Sequence, residues 1–176
     1  MLVSYILAGI VGLLVLGIDQ FTKYYIAANF EMAVSYKFLP GIIDITYIHN
    51  DGGAWGMLGG YTWLLISVTV VIMLVCIALL LKCGAQDKLM FWAIVLVLSG
   101  GVGNMLDRIF RGGNVIDFLH FEFMPDFPVF NVADCAIVIG AGILLLYFLL
   151  GMIEENRQKR SALEEAVSKA RKNGEN

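Results

Sequence analysis

The chain has 176 residues, 59% of them hydrophobic and only 15% charged, with a net charge of -3 and a mean hydropathy of +0.79. Soluble domains carry about 25% charged residues, so the deficit excludes an ordinary soluble globular protein and points to the membrane. No basic stripe supports binding to nucleic acid.

A spanning helix needs about 20 mostly apolar residues, and four segments qualify. The first, Leu2 to about Tyr25, is uncharged through Ile18, has no basic n-region and precedes no A-x-A site. It reads as a retained helix rather than a signal peptide, with Asp19 and Lys23 near its C-terminal end. The stretch KFLPGIIDITYIHNDGGAWG (Lys37–Gly56) follows, where Ile43, Ile45 and Tyr47 alternate with Asp44 and Thr46 before the turn signal NDGG; this predicts a strand. The second span is Tyr61–Leu81, and a turn with Lys82, Asp87 and Lys88 leads to the third, Leu89 to about Met105, which runs into Asp107–Arg108. A second strand signal is NVIDFLHFEF (Asn114–Phe123), in which Leu119, Phe121 and Phe123 alternate with His120 and Glu122. The two signals predict a small sheet on the bilayer surface, with Phe118, Phe127, Phe130, Trp55 and Tyr61 in the interfacial aromatic belt. The fourth span is Val132–Ile153. The tail reads as a solvated helix supported by the pairs Glu155–Lys159 and Glu165–Lys169. The expected fold is an all-α membrane protein: four transmembrane helices with a small extracytoplasmic β-sheet and loop region. Residues 1–153 form the membrane domain, with outer loops 27–60 and 109–130, and 154–176 a cytoplasmic helical or flexible tail.

Basic residues in short loops set orientation. Lys82, Lys88, Arg157, Lys159, Arg160, Lys169, Arg171 and Lys172 lie on one side; Lys23, Lys37, Arg108 and Arg111 lie on the other. Eight against four places both termini in the cytoplasm. With that topology Asp19, Lys23, Asn104, Asp107, Arg108, Asn131 and Asp134 gather at the outer end of the bundle, and the outer loops tether Asn50, Gly52 and Asp117 there.

Taken singly, each has an ordinary explanation. Asn131 and Asp134 suit the first turn of a helix, as N-cap and N3. Asp107–Arg108 suits a juxtamembrane pair with Arg108 snorkelling, and Asp117 a surface strand. His49 and His120 fit hydrogen-bonded or interfacial sites, with no third ligand at metal spacing. Cys76, Cys83 and Cys135 lack C-x-x-C spacing and read as free thiols in apolar surroundings. Cys135 beside Asp134 has no nearby His in sequence to activate it. Their convergence at one end asks for a common cause. No G-x-S-x-G or H-E-x-x-H motif is present, which leaves carboxylates. Asp117 and Asp134 flank one outer loop. Two adjacent acids share a proton, and such a pair hydrolyses amides without metal or covalent intermediate: the ionised member takes a proton from water while the protonated one polarises the carbonyl.

DQFTK (Asp19–Lys23), NDGGAWG (Asn50–Gly56), GGVGNMLDR (Gly100–Arg108), NVIDF (Asn114–Phe118) and FNVAD (Phe130–Asp134) together resemble, in order, the motifs of lipoprotein signal peptidases, or signal peptidase II. The resemblance runs from Leu2 to Gly151. It departs at Trp55, usually Phe in the family, and at Gly53, usually Ala. It implies an aspartic endopeptidase of the bacterial inner membrane, both termini cytoplasmic and active site at the outer face. Such an enzyme cleaves prolipoproteins just before a diacylglyceryl-modified cysteine and needs no cofactor or metal. The family's catalytic aspartates fall on Asp117 and Asp134. Its supporting positions fall on Asp19, Lys23, Asn50, Gly52, Gly100, Gly103, Asn104, Asp107, Arg108 and Asn131. Arg108 and Asn104 are expected to position the acids or the substrate backbone, and Gly52 to let backbone approach the substrate. The implied partners are prolipoproteins, membrane lipids and a globomycin-type cyclic peptide inhibitor.

Three other readings compete. A transporter or proton channel would use Asp19, Asp107, Asp134 and Arg108 as a relay, but the inner halves of the spans carry no charge to continue it. A G-x-G-D protease needs Asp where Asn104 follows Gly101–Gly103. A scaffold needs no acid pair.

Overall fold

The computed structural model describes residues 2–53, 58–84 and 87–174, with residue 83 and residues 165–174 as backbone only. In chain order it contains α1 (Leu2–Asn29), β1 (Ser35–Leu39), β2 (Ile43–Asn50), α2 (Thr62–Cys83), α3 (Lys88–Phe110), β3 (Val115–Phe121) and α4 (Val132–Gly174). Four helices are long and apolar enough to span a membrane. Trp55, the Glu165–Lys169 pair and the Cys83 side chain lie outside the described residues.

Helix α3 is the axis of the bundle. Over half of its apolar window is buried, against about a tenth or less in the other three helices, and Ala93 and Ile94 are fully enclosed. The outward faces of the others are apolar, as Trp63, Leu81 and Phe21 show, which suits contact with lipid. With lipid outside, the helices gain little from hydrophobic burial and depend on close packing, which small residues permit. A Cβ on Gly140 of α4 would come within 2.6 Å of the Ala93 carbonyl oxygen in α3, and one on Gly100 of α3 would overlap the Ala133 carbonyl of α4.

Helix ends follow local chemistry. The Asp87 carboxylate accepts from the Met90 amide at the start of α3 (3.3 Å). At the start of α4, Asn131 Oδ1 accepts from the Asp134 amide (2.9 Å) and Asp134 Oδ2 from the Asn131 amide (3.0 Å), the reciprocal arrangement of a capping box. The turn from α3 to β3 needs glycine, since Gly112 and Gly113 both take positive φ (63° and 97°).

The sheet has the order β1-β2-β3, all antiparallel. β3 carries Phe130 as a bridge opposite Leu119 on its other side. Strand β1 has no alternation in sequence and was not among the expected elements; its five residues are all exposed, so no buried face imposes a pattern. Lys37 of β1 pairs with Asp44 (3.2 Å) and with Glu122 (2.7 Å), and the Gly41 amide donates to Glu122 (2.7 Å). Asp44 is therefore buried on a face where alternation expected solvent. Phe118 is also corrected: it is not an interfacial aromatic but a core residue, packed with Ile26, Ile45, Tyr47 and Ile116 where the sheet sits on the end of α1. That contact explains why α1 runs beyond Tyr25. Helix α4 continues through the expected span end at Ile153 into the tail as one helix, with Glu155 and Lys159 paired at 2.6 Å.

Gly140→Leu forces α4 away from the Ala93 carbonyl. We expect it to cost about 1–3 kcal/mol, read as a lowered melting temperature of the detergent-solubilised protein, whereas Gly142→Leu, with open space around it, leaves the melting temperature unchanged.

Candidate active site

Where the sheet meets the spans, α1 brings in a lysine that is completely enclosed. Lys23 Nζ lies 3.0 Å from Asp19 Oδ2, 3.0 Å from Asp107 Oδ2 and 2.9 Å from Asn104 Oδ1. An ammonium group has three protons, and here each has an acceptor. The free oxygen of Asp19 accepts from the Ala133 amide (2.9 Å) in the first turn of α4, so one carboxylate serves both the lysine and a helix N-terminus. Asp107 accepts from the Ile116 amide of β3 (3.2 Å) and from Arg111 Nε (3.1 Å). Gln20, inside the DQFTK motif but without a role read from sequence, donates towards Asp19, Asp107 and the Gly103 carbonyl. Gly103 must be small, because a Cβ there would lie 2.6 Å from Asp19 Oδ2.

This cluster grips the residues immediately before the two candidate acids: Ile116 precedes Asp117, and Ala133 precedes Asp134. Asp117, 1% exposed, accepts from Asn131 Nδ2 (2.6 Å) and Asn50 Nδ2 (2.7 Å). Asp134 accepts from Asn104 Nδ2 (2.7 Å) and the Asn131 amide. Asn131, wholly buried, also donates to Asn104 Oδ1 (3.1 Å) and the Ile116 carbonyl (3.3 Å). Burial and then the neighbouring Asp134 charge push the Asp117 carboxyl up to about 7, against the two asparagine hydrogen bonds that favour its ionised form.

Asp117 and Asp134 line one cavity of about 450 Å³ together with Asn50, Asn104 and Arg108. Its other wall is apolar: Phe121, Phe127 and Phe130 from the outer loops, and Val138 and Ile139 one turn deeper on α4. The three phenylalanines form a ring cluster with centroids 4.8–5.9 Å apart; only Phe121 stood out in the strand alternation. Arg108 does not pair with Asp107, which is taken by Lys23 and Arg111. It turns to the cavity instead, with Nη1 at 3.5 Å from the Asn104 carbonyl, and its Nε is buried without a hydrogen-bond partner among the described residues. Gly52 does not line the cavity. It is buried and its amide donates to Asn50 Oδ1 (3.0 Å), which turns the Asn50 NH₂ to Asp117; Gly53, at φ 69°, lines the cavity. Gly100 and Gly103 act through packing. His49 bonds Tyr47 (2.6 Å) and His120 the Pro125 carbonyl (3.3 Å). Among the described residues no three His, Cys, Asp or Glu side chains are grouped to hold a metal ion.

Fold and site together define a multi-span membrane protein with an acid-lined cavity at one end of its bundle. The signal peptidase II family model matches residues 11–150. Among similar proteins is a lipoprotein signal peptidase of Bacillus pumilus, 37% identical over 142 residues, covering 80% of this chain and 91% of that one. Another, from Halalkalibacterium halodurans, is 34% identical over 153 residues, covering 86% and 97%. Two solved structures share the fold, both bacterial membrane enzymes determined by the in meso method. One, at 2.3 Å resolution, has a TM-score of 0.77 and 32% identity over 82% of this chain and 88% of its own. The other, at 1.9 Å, has a TM-score of 0.73 and 33% identity over 81% and 92%. The chain belongs to the signal peptidase II family and is thus a membrane peptidase.

Two outcomes test the electrostatics. Lys23→Met leaves buried Asp19 without a cation and Asp107 with Arg111 alone and should cost about 3–5 kcal/mol, read as loss of folded protein or a sharply lowered melting temperature. The raised Asp117 carboxyl favours the folded state below the ordinary carboxylate value of 3.8, and that contribution is lost progressively as pH rises from there to about 7. Asp117→Asn removes this titration. Its melting temperature should therefore gain on the parent's between about pH 4 and 7; a gap independent of pH contradicts the shift.

Proposed function

We propose that the chain is an aspartic endopeptidase that removes the signal peptide from prolipoproteins by cutting before a diacylglyceryl-modified cysteine, with Asp117 and Asp134 activating water. The observation that carries this reading is the placement of both carboxyls in one cavity, polar on one wall and apolar on the other. A shared proton makes each member useful. The ionised carboxylate takes a proton from water as its oxygen bonds to the scissile carbonyl carbon. The protonated one donates to the carbonyl oxygen. Collapse of the tetrahedral intermediate breaks the C–N bond as a proton passes to the departing amine. Arg108, whose Nε has no partner among the described residues, holds a substrate backbone carbonyl, and Asn50, Asn104 and Asn131 hold the acids. The pair needs neither metal nor cofactor.

The apolar wall suits a lipid-bearing substrate. Val138 and Ile139 are 69% and 55% exposed and lie in the spanning part of α4, so the cavity opens along a face that lipid covers. Two acyl chains anchor a substrate firmly in the membrane, and its scissile bond then sits at headgroup depth. We place the site at the outer face of the bacterial cytoplasmic membrane with both termini inside. Lys23, buried and paired, no longer counts among the outer loop charges, which widens the basic asymmetry behind that orientation. Residues 1–153 form the peptidase domain and 154–176 a cytoplasmic tail. Membrane lipids and a globomycin-type cyclic peptide complete the proposed partners.

Asp117→Asn and Asp134→Asn are each expected to lower cleavage of a purified diacylglyceryl prolipoprotein by at least about a thousandfold, with membrane insertion retained. Substantial cleavage by either folded variant would refute the acid-pair reading.

A further inference from the structure

The two acids are held by different kinds of donor. Asp134 sits in the first turn of α4, where the helix dipole favours negative charge, and accepts from the Asn131 backbone amide and from Asn104 Nδ2. Asp117 sits on a strand, whose net dipole is small. Its partner Asn131 Nδ2 also reaches Asn104 Oδ1 and the Ile116 carbonyl, so two protons are divided among three acceptors. An asparagine amide has two orientations, one donating and one accepting. For Asn104 two donors on the same side decide between them. Lys23 Nζ, 2.9 Å away, can only donate, and Asn131 Nδ2 donates to the same oxygen at 3.1 Å, so Asn104 turns its oxygen to both and its NH₂ to Asp134.

We propose that Asn104 is a positioning residue for the hydrolysis: its amide, locked by Lys23 and Asn131, makes Asp134 the ionised, water-activating member of the pair and leaves the proton on Asp117. The proposal rests on the acid-pair reading above and assigns the roles within it. If Asn104 were free to flip, its oxygen would face Asp134 and favour a protonated carboxyl there. Asp19 and Asp107 are needed because a lone ammonium at this depth is costly. The charged and titratable groups facing the pair are Lys23 and Asp19 from α1, Asp107 and Arg108 from α3, and Cys135 on α4 itself. Of these, Lys23 is the one that reaches an acid through a directional hydrogen-bond chain.

The test is the pH dependence of kcat/KM for the full chain in detergent with a diacylglyceryl prolipoprotein. Asn104→Leu removes the donor to Asp134, and the double variant Lys23→Met with Asp19→Asn removes the lysine's share of the lock without leaving both carboxylates charged. In Asn104→Leu, and in the double variant where it folds, the acidic limb should rise by about one pH unit, with kcat down at least about tenfold, KM within about twofold and the basic limb unmoved. Asn50→Ala takes a donor from Asp117 alone and should raise the basic limb instead. If Asn104→Leu moves the basic limb, or its activity falls only in proportion to its folded fraction with both limbs fixed, the assignment is wrong. Asn104→Leu decides the assignment alone should the double variant not fold. The outcome is separable from the parent reading: inactive Asp117→Asn and Asp134→Asn with unmoved limbs would sink this inference only.

Discussion

The structure depends on one enclosed ammonium group. Lys23 is 0% exposed at a level where a lone charge costs about 2.5–3.5 kcal/mol even on the mildest membrane scales. Its presence is tolerable only because Asp19, Asp107 and Asn104 take all three of its protons. That requirement draws α1 and α3 together at one height. The carboxylates then have oxygens to spare, and each spends them on a backbone amide of another element: Asp19 on Ala133 of α4, Asp107 on Ile116 of β3. A single buried ion cluster thereby fixes where the fourth helix begins and where the third strand runs. The two acids are the next residues along those elements, so their separation is set by a rigid polar frame rather than by loops.

Close approach is the second condition. The start of α4 can reach Asp19 only because Gly103 leaves room for that carboxylate and Gly100 leaves room for the Ala133 carbonyl. These glycines do not line the cavity, yet a methyl group at either would push α4, and Asp134 with it, away from α3. Positions that resemble binding residues in a motif are here spacers, and their effect on chemistry is transmitted through packing.

The spans were legible in sequence because lipid imposes a length and a composition, and the polar convergence followed from topology alone. Strands β2 and β3 were legible from alternation over part of their length, although burial does not follow it: Asp44 is buried beside Ile45, and Val115 to Phe118 are buried in succession. β1 was not legible, since an exposed edge strand obeys no alternation. Phe118 was misplaced because an aromatic residue near a span end suits the interface and a packed core equally, and only the end of α1 beneath the sheet distinguishes them. Asp107 and Arg108, adjacent in sequence, looked like partners; being neighbours on a helix, they project about 100° apart, one towards Lys23 and one into the cavity. The aromatic wall from Phe127 to Phe130 lacked any periodic signal, because it belongs to a loop whose shape is set by the bridge to β3.

On the function proposed above, the position of the acids along the bundle follows from two demands that conflict elsewhere in the molecule. Hydrolysis needs water and a stabilised negative charge, both scarce deeper in the spans, where α4 continues from Cys135 to Ile153 without a charged residue. A substrate held by acyl chains needs an apolar surface continuous with the bilayer, which a site raised fully into the sheet would lack. The first turn of α4 is where both are met: its N-terminal amides and the Lys23–Asn104 chain support charge at Asp134, and one turn further Val138 and Ile139 already face outward as lipid-compatible surface. The capping box at Asn131 therefore has two functions. It ends the loop and starts the helix, and it also places an acid at the border between polar frame and apolar groove, the depth at which a membrane-anchored peptide bond can meet water.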